Sequence, residues 1–219
     1  MGGGEALMAT PTVHIWRQRE IVTADTMNRF VRDVHTFLYR PPACKVTARQ
    51  RGSHSGANAS GAYGRGWIPF NSWTTIPWSA PGRGTQPAEE YDPSGMAKPG
   101  EGEAVWRLVA PEDGLYAVTF GGVIETNGEA NNVHFRLAKN QMTDGQWNTG
   151  SAVFASHCPG RTQATDGVSR YIGSISTTIN LARGETVSAA GIADKDFILG
   201  RSDVPGRSFL EMRWVGRLP

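Results

Sequence analysis

Apolar and polar residues alternate at period two along several stretches of this chain, which places every second side chain on one face of a β-strand. Tyr116, Val118 and Phe120 share a face in this way. The turn that launches them is Ala110-Pro111-Glu112-Asp113-Gly114, and Tyr91-Asp92-Pro93-Ser94-Gly95 reads as a strand end closed by a proline turn. His134 alternates with Val133 and Phe135, so its ring is expected to face solvent or a neighbouring subunit. Short strands and turns need many glycines and prolines, and 27 Gly with 13 Pro in 219 residues meet that need. The fold class expected is mainly β, an antiparallel sandwich, with length enough for one core and an appendage.

The first fifty or so residues change period. From Thr23, a candidate N-cap, with Asp25 in the first turn, Met27, Phe30, Val31, Val34, Phe37 and Leu38 recur at three-four spacing. Pro41-Pro42 ends this predicted amphipathic helix, whose other face carries Arg29, Arg32, Asp33 and His35. The organisation expected is an arm and anchoring helix over 1–43 and a β domain over 44–219. Residues 1–51 contain 8 Arg/Lys against 4 Asp/Glu, whereas the rest has 14 against 16, so a basic arm precedes a slightly acidic body. That asymmetry points to docking on an acidic surface. Nucleic acid is not the expected partner, since there is neither a Lys/Arg run nor a reader motif. The docking residues expected are Met27, Phe30, Val31, Val34, Phe37, Leu38, Arg29 and Arg32.

Candidate chemistry is sparse. None of His14, His35, His54, His134 and His157 forms the close pair of a zinc helix, so no metal is expected. His157-Cys158, followed by Pro159-Gly160, reads as a loop. Cys44 and Cys158 would at most form one disulfide. Glu112, Asp113, Glu185, Asp194, Asp196 and Asp203 fall in turns and give no carboxylate pair for glycoside chemistry. No enzyme activity and no cofactor are expected. Trp67, Trp73 and Trp78 stand with Phe70 in a proline-interrupted segment: exposed, they would stack on sugar rings, and buried they would fill the core or a subunit seam. The segment Glu125 to Asn132 reads as a hairpin-like connection whose Asn127 and Asn131 are further ligand candidates, and Ala155 to Asp166 as a polar excursion. No apolar run approaches the roughly 20 residues of a membrane span, so no membrane partner is expected.

Two resemblances sharpen these expectations. Tyr91-Asp92-Pro93, the strand opened by Pro111 and Gly114-Leu115-Tyr116, Val133 to Asn140 ending in Lys-Asn, Leu181-Ala182-Arg183-Gly184-Glu185-Thr186-Val187 and Ser208 to Met212 come in the order found in the complement globular head and, more distantly, tumour necrosis factor. Trp67-Ile68-Pro69-Phe70 is similar to that family's early strand, while Glu185 stands where the family has Asp. The resemblance implies a jelly roll, a homotrimer, and crown loops that bind ligands in some members. Separately, Trp16, Ile21-Val22-Thr23-Ala24-Asp25, Met27-Asn28, Val31-Arg32-Asp33 and Pro41-Pro42 resemble the opening of structural proteins of tailed phages that infect actinobacteria. It implies a virion location, the chain being made in the host cytoplasm. The function expected is a non-enzymatic trimeric virion protein, docked through its arm as a capsid decoration or minor tail protein; the alternative is a host-recognition adhesin binding cell-surface glycan.

Overall fold

The computed structural model describes residues 20–32, 41–48, 68–78, 90–97, 105–140, 153–165, 168–199 and 208–217, with Ile15, Arg17 and Trp147, the side chains of 29, 30 and 162–165 excepted. Its strands form two antiparallel sheets. The six-stranded sheet holds β1 (Ala43–Thr47), β4 (Gly114–Asn127), β7 (Arg161–Thr165), β8 (Val168–Leu181), β10 (Phe197–Leu199) and β11 (Phe209–Gly216). Their order is β1-β11-β4-β8-β7, with β10 beside β4. The five-stranded sheet holds β2 (Thr74–Thr75), β3 (Leu108–Val109), β5 (Val133–Lys139), β6 (Val153–His157) and β9 (Thr186–Ala193), in the order β2-β9-β5-β6 with β3 on β9. The chain is mainly β, as its period-two pattern predicts.

One core lies between the sheets. Tyr116, Val118 and Phe120 of β4 are fully buried and meet Phe135 and Leu137 of β5, also fully buried. Phe120 and Phe135 pack edge to face at 5.2 Å between ring centres, and Trp78 meets Phe120 edge-on at 6.3 Å. Each such ring withdrawn from water stabilises the fold by about 1.5–3 kcal/mol. Gly122 is required beside them, because a Cβ there would lie 2.5 Å from Phe120 and 2.6 Å from Phe135. Trp78 therefore is not a ligand-binding residue: the indole fills the core. The aromatics of β4 and β11 divide between the two faces of their sheet. Tyr116 and Phe120 face the core, as does the partly buried Trp214, while Phe209 lies on the outer face of β11 beneath the Lys45 ammonium, 5.0 Å from the ring centre.

The turns follow local chemistry. Asp92 accepts the Met96 N–H (2.8 Å) on Oδ1 and the Ala97 N–H (2.9 Å) on Oδ2, with Gly95 at φ +62° supplying the left-handed step. Tyr116 donates its hydroxyl to the Glu112 carbonyl at 2.7 Å, clamping the turn that precedes its own strand. The 125–132 connection is not a hairpin: β4 continues to Asn127 and the chain then crosses into the other sheet. Glu125 is buried within β4 and ion-paired to Arg170 at 2.6 Å, so it belongs to the fold and not to a loop. The 155–166 segment also differs from expectation, because the end of β6 and the whole of β7 lie within it and Cys158–Gly160 carries the chain between sheets.

Thr23 caps the helix as expected, its hydroxyl accepting the Thr26 N–H while the Thr26 hydroxyl accepts the Thr23 N–H. The α-helix α1 spans only Ala24–Met27, after which Asn28–Arg32 widen into a π-helical turn. Val34, Phe37 and Leu38 lie outside the described residues, as do the side chains of Arg29 and Phe30.

Candidate functional site

The helical turn and the residues that lead into it present apolar side chains to water. Ile21 is 81% exposed, Val22 55%, Met27 44% and Val31 45%, and no residue of α1 is buried. Arg32 is exposed among them. Thr23 fixes this presentation, since its cap satisfies backbone donors that would otherwise need other partners.

A second surface lies at the end of the sandwich where β4 stops. Asn127 donates its N–H to the Asp196 carbonyl (2.8 Å), and the Asn131 N–H reaches the Asp194 carboxylate (3.1 and 3.2 Å). The Phe70 N–H binds Asp196 Oδ1 at 3.1 Å, which sets the 58%-exposed Phe70 ring beside the same turn. Arg161 and Glu129 form an ion pair at 2.7 Å across this end. The turn after β9 thus gathers Phe70 with Asn127 and Asn131, which come from two segments far apart in sequence. Of the three tryptophans proposed to act together, Trp67 lies outside the described residues, Trp78 is in the core and Trp73 is elsewhere.

Trp73 sits on the outer face of the five-stranded sheet. Its ring stacks on Trp147 at 6.4 Å with a 23° interplanar angle, and the Arg136 guanidinium lies 4.1 Å from the ring centre. Trp147 is fully buried, donates to Thr75 Oγ1 at 2.8 Å and packs with Ala138 and Ala190 in a small second core. Stacking and cation–π attraction occupy Trp73 as a structural element.

Further along the same face stands a pair that the sequence reading separates. His157 faces inward, where both it and Pro159 press on Gly173: a Cβ at Gly173 would lie 2.5 Å from the imidazole Cδ2 and 2.9 Å from the proline Cβ. Cys158, between them, turns outward, and its Sγ lies 3.0 Å from His134 Nδ1 and 3.6 Å from Nε2. The β5–β6 register pairs Phe135 with His157 and Arg136 with Ser156, which sets His134 opposite Cys158. His134 does face outward, and its neighbour is this thiol. Both cysteines are free, Cys44 being buried and Cys158 exposed. Burial first, and the adjacent Asp92 second, push the Cys44 thiol far above its ordinary range.

At the opposite end of the sandwich a cleft of ≈ 670 Å³ is lined by Glu112, Asp113, Lys139, Glu185 and Arg217 among others. Lys139 Nζ lies 2.5 Å from Glu185 Oε2, and Glu185 also accepts the Ala182 N–H (2.8 Å) and the Asn140 amide (3.1 Å). Asp113 accepts the Arg183 N–H at 2.7 Å. Asp92, Asp113, Asp194, Asp196 and Glu185 thus all serve as acceptors for backbone N–H groups, a turn-fastening use of carboxylates. Asp203 lies outside the described residues. Among the described residues no three His, Cys, Asp or Glu side chains gather as a metal site, and no helix is long and apolar enough to cross a membrane.

Sequence reasoning missed Trp147, Arg136 and the His134–Cys158 pair. Their only sequence signal was the period-two alternation that turns His134 and Arg136 to one face; their partners come from other segments of the chain, Cys158 from the end of β6 and Trp73 from the run before β2. No protein-family model matches the chain, and no curated protein matches it either.

Proposed function

We propose that the chain is a non-enzymatic structural protein of a tailed-phage virion, a trimeric jelly-roll sandwich attached to the particle through its N-terminal segment as a capsid decoration or minor tail protein. One observation carries the docking part of this reading: Ile21, Val22, Met27 and Val31 are exposed around a capped helical turn and are not covered by the sandwich. Burial of each against a partner stabilises the contact by up to about 1.5–3 kcal/mol, so a few such residues suffice to hold a module that is also multivalent. The basic balance of the segment favours an acidic partner surface. The trimer and the virion location rest on the two sequence resemblances.

The test is incorporation. Particles assembled with the tagged wild-type chain should carry it by immunogold microscopy, while Met27→Asp/Val31→Asp should be missing from particles yet melt at the wild-type temperature. Removal of residues 1–42 should give the same result. A truncated body that aggregates or melts far earlier would place the segment in the domain's own core and end the docking reading.

A second reading, an adhesin for cell-surface glycan, is favoured by the exposed Phe70 ring beside Asn127 and Asn131, an aromatic face with amide groups suited to sugar hydroxyls. Binding of the isolated protein to host cell-wall glycan, lost in Phe70→Ala, would support it.

A further inference from the structure

We propose that Cys158 is a reactive thiol served by His134 as its base, a modification site for low-molecular-weight disulfides. The argument is independent of the virion reading. A nucleophilic side chain needs a base within hydrogen-bond reach and access for the electrophile. Cys158 has both: it is exposed, and its Sγ lies 3.0 Å from His134 Nδ1. The arrangement is held from three sides. His157 and Pro159 pack on Gly173 and force the intervening side chain outward, while the β5–β6 register holds His134 directly across from it. Neither partner has to move to meet the other.

With the imidazole proton on Nε2, Nδ1 accepts the thiol hydrogen. The thiolate sulfur then attacks one sulfur of the incoming disulfide. The old S–S bond breaks as a new one forms to Cys158, and the departing thiolate takes the proton from the imidazolium. Cys158 is oxidised to a mixed disulfide, and the other half of the reagent is reduced to a thiol. Cys44 is the internal contrast, because its thiol is fully buried beside Asp92 and has no route to a reagent.

The full chain, treated with glutathione disulfide at neutral pH and mapped by peptide mass, should gain one adduct at Cys158 and none at Cys44. With an aromatic disulfide that releases a coloured thiolate, folded wild type should react faster than the same thiol in the urea-unfolded chain. His134→Ala should slow that reaction at least about tenfold at an unchanged melting temperature. His134→Gln keeps a hydrogen-bonding side chain but no base, and should be as slow. Folded wild type reacting no faster than the unfolded chain, or either variant reacting at the wild-type rate, would overturn the proposal.

Discussion

Lys139 and Glu185 close one end of the sandwich: the last residue of β5 places its ammonium 2.5 Å from the carboxylate that precedes β9. Asn140 completes the contact from a left-handed backbone at φ +58°, accepting the Thr186 N–H at 2.9 Å and donating to the Thr186 carbonyl at 2.9 Å and to Glu185 Oε1 at 3.1 Å. Two segments that the sequence offers as separate motifs, Lys-Asn and Leu-x-x-Gly-Glu, are therefore one structural unit.

This unit makes stability pH-dependent. Partial burial opposes ionisation of Glu185, but the bonds from Lys139, the Ala182 N–H and Asn140 outweigh it and hold the carboxyl below its ordinary value. A depressed folded value means stability that is present above the unfolded value, about 4.3, and lost as pH falls through the folded one. Glu185→Gln should lower the urea midpoint at neutral pH, and the gap to wild type should narrow below about pH 4. A gap constant from neutral to acid would show that the charge contributes nothing.

Tyr116→Phe removes the hydroxyl that clamps Glu112 while leaving the ring in the core. The buried Glu112 carbonyl loses its donor, so a cost of about 1–3 kcal/mol is expected from denaturant unfolding. Near-neutral stability would mean that water replaces the hydroxyl.

Gly122→Ala tests the contact between the sheets. The added methyl meets the Phe120 and Phe135 rings at 2.5–2.6 Å, and rigid rings packed edge to face have little room to yield. A loss of about 1–3 kcal/mol is expected by calorimetry. Phe135→Leu in the same background should recover part of it by making space.

Trp78→Ala and Trp73→Ala should differ in size. Trp78 fills the core, so truncation should cost about 3–5 kcal/mol. Trp73 is half-buried over Arg136 and Trp147, and losing its stacking and cation–π contacts should cost about 1–2 kcal/mol. Equal urea midpoints for the two variants would contradict the placement of one indole inside and the other outside.

The sequence by itself determined what depends on neighbouring residues. Period two committed Tyr116, Val118 and Phe120 to the core face; Asp92-Pro93 and Pro111 to Gly114 announced their turns; Thr23 announced its cap. These are legible because backbone geometry and capping act over a few residues. Strand partners were decided only in three dimensions. A strand's alternation says that two faces exist, but not which strand supplies the neighbour. Hence Asn127 looked like part of a hairpin although β4 and β5 belong to different sheets, and the clustered tryptophans separated, with Trp78 in the core and Trp73 on the outer face. His134 met Cys158 for the same reason: the β5–β6 register, set by packing along the whole of both strands, brings together two side chains that nothing local couples.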